Sequence, residues 1–327
     1  MRRRLGKGNS TPSVQNLKYH VRLTQVFDIV CVGHFCIDSI ILPNRKAPYI
    51  ILGGSAAYVS LAAKNLGASV SVISKIGSDF PKAYIWWLSQ EGIDLSGVAK
   101  LSEAKTTSFE LKYNDDLSER NLRLANRAKP ITVEDLPNSV EAKAIHIAPV
   151  ANEIPYDVAE KMKNYAEFLS LDPQGLIRVF DEKGNVTYGT LMNKRILELV
   201  NIYKSSLEEI EAVTGQRELK SAIKSVHDFG VETVMVTLGM KGAVLSIEGT
   251  IYNIPAYKPN KIVDPTGAGD AFIGGFLAEY VQGEDSRWCA CVGSAVASAV
   301  VEGVGPTFFG DKAEIHRRAR VLYEKGN

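Results

Sequence analysis

The segment Val263-Asp264-Pro265-Thr266-Gly267-Ala268-Gly269-Asp270 joins an anion cradle to a carboxylate at fixed spacing. Gly267, Ala268 and Gly269 are small enough for their backbone N–H groups to approach a ligand. The apolar run Ala271–Leu277 behind them predicts a helix that starts here. Unpaired amides at a helix start, reinforced by the helix dipole, hold a phosphate or a developing negative charge. Asp270 falls in the first turn, within reach of the same point. A carboxylate beside an anion hole suits removal of a proton from a hydroxyl while a phosphoryl group arrives. The plainer alternative is a capping Asp beside a tight glycine turn.

Other residues could serve the same chemistry. Asp38 stands five residues after Gly33, which closes the apolar strand Val30-Cys31-Val32. Past the C-terminal end of a strand, a carboxylate lies where α/β sheets bind ligands and accepts hydrogen bonds from neighbouring hydroxyls, or else it only shapes a turn. Gly53 and Gly54 open the small-residue helix pattern Ser55-Ala56-Ala57-Tyr58 and leave backbone bare for a polyol. Asp172-Pro173-Gln174-Gly175-Leu176-Ile177-Arg178 follows another apolar strand and brings a carboxylate, an amide and a guanidinium to its end. Arg gives bidentate, permanently charged contacts to phosphate oxygens. Glu209, in Ser206-Leu207-Glu208-Glu209, reads on its own as solvated helix surface. Thr237-Leu238-Gly239-Met240-Lys241-Gly242 ends a strand with two glycines, where a nucleotide can pass close to the backbone or the chain can simply turn.

Together these segments resemble the ribokinase/PfkB family of carbohydrate kinases, over a span from about Phe27 to the C-terminus. Asp-Pro-Thr-Gly-Ala-Gly-Asp is similar to that family's second signature, and Gly53-Gly54 to its first. The resemblance implies ATP-dependent phosphoryl transfer to a small polyol. Asp270 would be the base, Gly267, Ala268 and Gly269 the anion hole, and Arg178 a neutralising charge. Asp38, Gly53, Gly54, Tyr58 and Gln174 would line the acceptor site; Thr237, Gly239, Gly242 and Thr266, with Gly267 and Gly269, the nucleotide site. Glu209 would act through water on Mg²⁺, a metal that keeps several waters and takes few protein ligands. Tyr58 replaces the family's usual Asn, and Gln174 with the long spacing to Arg178 replaces an Asn; both departures are similar to myo-inositol kinases. That ranks a cyclitol first as acceptor, with sugars such as ribose, fructose or 2-keto-3-deoxygluconate, and nucleosides, close behind. Lid strands in this family often pair between subunits, so a homodimer is an expectation. A monovalent-cation requirement and the identity of the donor stay open.

Positioning such groups needs a rigid scaffold. Strand and helix patterns alternate along the chain, which predicts an α/β doubly wound, mostly parallel sheet with helices on both faces. Candidate strands are 28–32, 70–76, 144–147, 168–171, 202–204 and 233–237; candidate helices are 56–66, 82–91, 207–214, 221–229, 268–281, 286–301 and 312–324. Segments 39–52 and 106–127 break the alternation and read as a small β lid, or as an edge hairpin with no moving role. The kinase domain is thus expected over 27–327, behind a basic, flexible extension over 1–26.

At 327 residues, with 45% hydrophobic and 23% charged side chains, the chain has the composition of one soluble globular domain. No apolar run approaches the ~18 residues of a membrane span. Six Lys/Arg and no acid fall in residues 1–27, which leaves 32 Lys/Arg against 37 Asp/Glu, or −5, for the rest. An acidic body argues against a nucleic-acid surface. The basic segment lacks the apolar core of a secretory signal. Its Arg-rich character is similar to an organellar transit peptide, although an unstructured extension or an overcalled start codon is the preferred reading. Cys31, Cys36, Cys289 and Cys291 lack metal-ligand spacing and read as buried thiols of a reducing compartment, hence a cytoplasmic location. A Rossmann dehydrogenase is disfavoured because Gly33-His34-Phe35 supplies no Gly-x-Gly-x-x-Gly turn. A non-catalytic binder on the same scaffold would have no need of Asp270.

Overall fold

The computed structural model describes residues 26–43, 45–137 and 140–325. The expected basic extension therefore falls almost wholly outside the described residues, and the first strand already begins at Val26. Along the chain come β1 (Val26–Val32), β2 (Cys36–Ile41), β3 (Tyr49–Gly53), α1 (Ser55–Asn65), β4 (Val70–Gly77), α2 (Lys82–Gln90), β5 (Asp94–Leu101), β6 (Thr107–Tyr113) and β7 (Arg120–Asn126). Next are β8 (Glu141–Ile147), α3 (Tyr156–Met162), β9 (Ala166–Leu171), the single turn α4 (Gln174–Ile177), β10 (Arg178–Phe180), β11 (Val186–Tyr188), β12 (Ile202–Ser206) and α5 (Leu207–Thr214). The chain closes with α6 (Leu219–His227), β13 (Thr233–Thr237), β14 (Ala243–Ile247), β15 (Thr250–Ile254), α7 (Ala268–Tyr280), α8 (Ser286–Val300) and α9 (Lys312–Lys325).

A nine-stranded sheet in the order β15-β14-β13-β12-β9-β8-β1-β4-β5 forms the scaffold. From β13 to β5 every pairing is parallel, while β14 and β15 return antiparallel at one edge. Parallel strands covered on both faces must be apolar on both, and β4 is buried along its whole length. One core packs α1, α7, α8 and α9 on one face; a second packs α3, α5 and α6 on the other. Fully buried residues such as Ile29 and Ile145 each contribute about 1.5–3 kcal/mol through the apolar surface they remove from water. Helix α6 shows the pattern: Ala222, Ile223 and Val226 face inward while its lysines face out. Among the described residues no helix is long and apolar enough to cross a membrane.

The second layer is a four-stranded sheet, β3-β2-β6-β7, with its own small core of Cys36, Ile40, Phe109, Leu111 and Tyr113. It corresponds to the expected lid but starts earlier, at Cys36. Asp38 is accordingly not a turn residue beyond β1. It lies inside β2, opposite Ile51 on β3 and Phe109 on β6. The alternation Cys36, Asp38, Ile40 on the buried face explains this, because a strand of period two carries the carboxylate inward with its apolar neighbours.

Candidate active site

The cleft between the lid and the C-terminal ends of the central strands holds most of the chemistry-bearing residues. Asp38, Phe109, Leu111, Arg120 and Leu122 descend from the lid; Gly54, Ser55, Tyr58, Val150, Gln174, Arg178, Thr266, Gly267 and Asp270 rise from the scaffold. Its empty space, mouth included, is about 420 Å³.

Gly267 is the N-cap of helix α7, and its φ of 76° is left-handed. The amides of Gly267, Gly269 and Asp270 donate to no carbonyl among the described residues, and that of Ala268 makes only a long bond of 3.4 Å to Pro265. The turn is therefore built with these donors uncommitted among the described residues, as the first turn of a helix is. A side chain on Gly267 would enter the ring of Tyr58, which is 1% exposed. Tyr58 thus forms the floor under the turn. Its hydroxyl has no partner among the described residues, and burial holds its pKa well above the ordinary tyrosine value, with Asp264, Asp38 and Asp270 adding to the effect.

Asp270 is oriented from two sides. The Ser55 hydroxyl donates to its Oδ1 at 2.6 Å and the Gln174 side-chain amide to the same oxygen at 2.9 Å. No hydrogen bond among the described residues ends on Oδ2. Gln174 Oε1 in turn accepts from Arg178 Nη2 at 2.7 Å, and Arg178 Nη1 donates to the Val150 carbonyl at 2.9 Å. This order fixes the amide orientation, because a guanidinium only donates and a carboxylate only accepts. Arg178 is buried at the start of β10, and its Nε is unpartnered among the described residues. Helix α1, whose first residue is Ser55, presents a second positive dipole end toward Asp270.

On the lid side Asp38 is buried and its Oδ1 also lacks a partner among the described residues. Burial raises its carboxyl to a pKa of about 7, against the lowering effects of Arg120, the Phe109 amide, Arg178 and the Gly54 amide. Gly53 does not line the cleft: a Cβ there would collide with the Asp38 carboxylate, so the glycine makes room for Asp38. Gly54 does line it, at φ 88°. Thr266 joins the turn to the lid, its hydroxyl 2.9 Å from that of Tyr113, which accepts from Arg120 Nη1 at 3.2 Å.

Thr237, Gly239 and Gly242 lie at the end of β13 and in the turn after it, outside the cleft lining. Thr237 donates to the Ser205 carbonyl at 3.3 Å, which ties this turn to β12. Glu209 closes a capping box: its Oε2 accepts from the Ser206 amide at 2.7 Å and its amide donates back to Ser206 Oγ. Its Oε1 has only a long contact of 3.5 Å with the Tyr188 hydroxyl, so lone pairs remain for a hydrated ion. Among the described residues no group of three His, Cys, Asp or Glu could cage a metal.

Three residues in or beneath the cleft, Arg120, Tyr113 and Lys204, belong to no motif read from the sequence, and Ser55 stands in the glycine-pair segment without a role assigned to it there. Lys204 does carry a signal: a charge inside the buried strand Ile202-Tyr203-Lys204-Ser205 is rare without a partner. Arg120, on an edge strand that alternates with Leu122 and Leu124, has none.

A family model described as pfkB family carbohydrate kinase matches residues 26–312. The chain is 31% identical over 285 residues to a cytidine kinase of Thermococcus kodakarensis, which spans 86% of this chain and 98% of that protein. It is 32% identical over 299 residues to an inositol 3-kinase of Oryza sativa subsp. japonica, spanning 85% of this chain and 69% of that one. A solved pyrophosphate-dependent kinase in the ribokinase family, complexed with a pyrophosphate analog and myo-inositol, superposes with a TM-score of 0.76 at 24% identity, over 88% of this chain and 99% of that chain. The scaffold is the ribokinase-family fold.

Proposed function

Because the chain belongs to the pfkB family of carbohydrate kinases, we propose that this phosphotransferase moves the γ-phosphoryl group of ATP to a hydroxyl of myo-inositol or a related cyclitol. The observation that carries the reading is Asp270: one oxygen is fixed by Ser55 and Gln174, no hydrogen bond among the described residues ends on the other, and the amides of Gly267 and Gly269, which donate to no carbonyl among those residues, stand beside it. The acceptor hydroxyl gives its proton to Asp270 Oδ2 as its oxygen bonds to the γ-phosphorus. The bond to the bridging oxygen breaks, and ADP leaves with that electron pair. The Gly267 and Gly269 amides meet the charge on the moving phosphoryl oxygens, and Arg178, with Gln174, keeps the carboxylate aimed. Mg²⁺, carried on the donor phosphates, would add charge neutralisation, with Glu209 as its water-mediated contact.

Of six buried side-chain polar atoms without partners among the described residues, three belong to residues that line the cleft, Asp38 Oδ1, Tyr58 OH and Arg178 Nε, and these support a polyhydroxy acceptor. Unpaired buried polar groups are costly, and hydroxyls supply both the donors and the acceptors that these three require. A nucleoside is the second reading. The apolar lid wall of Phe109, Leu111 and Leu122 favours it, since a base could lie there, and the relatives include a cytidine kinase. The test is ADP release with MgATP over cyclitols, nucleosides and sugars, with pyrophosphate as an alternative donor. Turnover highest on a cyclitol supports the first reading, turnover highest on a nucleoside replaces it, and tight binding without turnover would point to a binder.

Asp38 makes acceptor binding pH-dependent. With a folded-state pKa of about 7, above the ordinary 3.8, this carboxyl favours the folded state at low pH, and that contribution is lost as pH rises through 7. Acceptor hydroxyls need the ionised form. The acceptor KM is therefore expected to be about tenfold higher at pH 6 than at pH 8, and Asp38→Asn should flatten that profile while weakening binding. A wild-type KM that is constant across this range would contradict the assignment.

A further inference from the structure

A buried ion pair lies beneath the anion turn, and no step described above uses it. Lys204, within β12, and Asp172, just past the end of β9, meet at 2.6 Å with side chains 5% and 0% exposed. From above, a Cβ on Gly269 would come 2.8 Å from Lys204 Nζ, so the ammonium abuts the backbone of the turn. The other Asp172 oxygen accepts from the Gln174 backbone N–H at 3.1 Å, which connects the pair to the residue that orients Asp270. His146, on β8, bonds Ser170 and is pushed down to about 3 by burial and by Lys204, so it is a neutral ring. Burial alone would lower the Lys204 pKa, but Asp172, then Asp270 and Glu209, reverse the effect and raise it above the ordinary lysine value.

Such a pair is poor economy for stability alone. Each buried charge costs several kcal/mol of desolvation, and apolar side chains of the same volume often hold a core equally well. A cation kept dry at this place has electrostatic leverage that a surface lysine lacks. The geometry points to Lys204, anchored by Asp172, as a positioning residue that keeps a fixed positive charge under the Gly267–Gly269 turn and so favours the phosphoryl group in transfer. This rests on the kinase reading above, but not on which acceptor is used.

The test removes the charges and keeps the hydrogen bonds. In Lys204→Gln/Asp172→Asn, an amide still donates to a carbonyl oxygen at the old site. The double variant should fold, bind the acceptor within twofold of wild type, lose turnover at least 100-fold, and bind pyrophosphate at least tenfold more weakly by calorimetry. Turnover within threefold of wild type, or unchanged pyrophosphate affinity, would overturn the proposal. Should the double variant fail to fold, Asp172→Asn alone decides. It keeps the ammonium, so pyrophosphate should bind as tightly as to wild type or tighter, and a tenfold loss would reduce the pair to scaffold. If wild-type protein turned over no polyol, the acceptor reading would fail while the pyrophosphate comparison still judged Lys204.

Discussion

Replacing Asp270 by Asn should lower single-turnover phosphoryl transfer by roughly 10²–10⁴-fold, the usual range for a lost general base, with acceptor affinity within about threefold. The substitution isolates proton acceptance because Asn keeps a carbonyl oxygen where Oδ1 receives the Ser55 hydroxyl and the Gln174 amide. Only the other oxygen, on which no hydrogen bond among the described residues ends, changes chemistry. Rapid-quench kinetics beside calorimetric acceptor binding would separate the two effects. A rate within tenfold of wild type would assign proton removal to another group.

The second large effect is expected at Gly267. In Gly267→Ala the new side chain would have to hold φ 76°, a region that costs an L-residue about 1–2 kcal/mol, and its methyl would press into the Tyr58 ring. Tyr58 is enclosed by the core of α1 and α7, so the turn rather than the ring must give. The substitution should therefore destabilise the fold by roughly 2–4 kcal/mol. Displacing a donor of the anion turn should cut turnover about 10²–10³-fold. Denaturant unfolding and steady-state kinetics check both parts. Trimming the ring with Tyr58→Leu in the same chain should recover part of the stability. Normal stability and rate in Gly267→Ala would mean that the turn tolerates a side chain and is not the tightly built cradle described above.

Long apolar elements were legible in the sequence because burial on both faces leaves a continuous signal. The strands at 70–76 and 233–237 and the helices at 207–214 and 268–281 match within a few residues. Edge strands were not: β5 and β15 each keep a wet face, so their apolar content is diluted, and β14, although buried, is only five residues long. Helix α3 is only seven residues long, too short for periodicity to declare itself. In the site, Asp270, Gly267, Gly269, Gln174, Arg178 and Tyr58 could be found because they sit in contiguous motifs on scaffold elements. Arg120 and Tyr113 owe their places to a lid folded over from elsewhere in the chain, and Ser55, on α1, meets Asp270 across 215 positions; no local spacing encodes such long-range contacts. Gly53 shows the limit in another way: its bareness was visible, but the atom that fills the space is Asp38 rather than a ligand.

Phosphorus NMR of the wild-type protein with MgATP and myo-inositol, run beside Asp270→Asn, interrogates the chemistry at its reacting atoms. The expected spectrum gains a phosphomonoester resonance split by one ring proton, in step with ADP, and the variant sample stays at ATP. ADP accompanied only by inorganic phosphate with every acceptor tried, or ester formed by Asp270→Asn at the wild-type rate, would contradict a carboxylate-assisted transfer to an alcohol at this cleft.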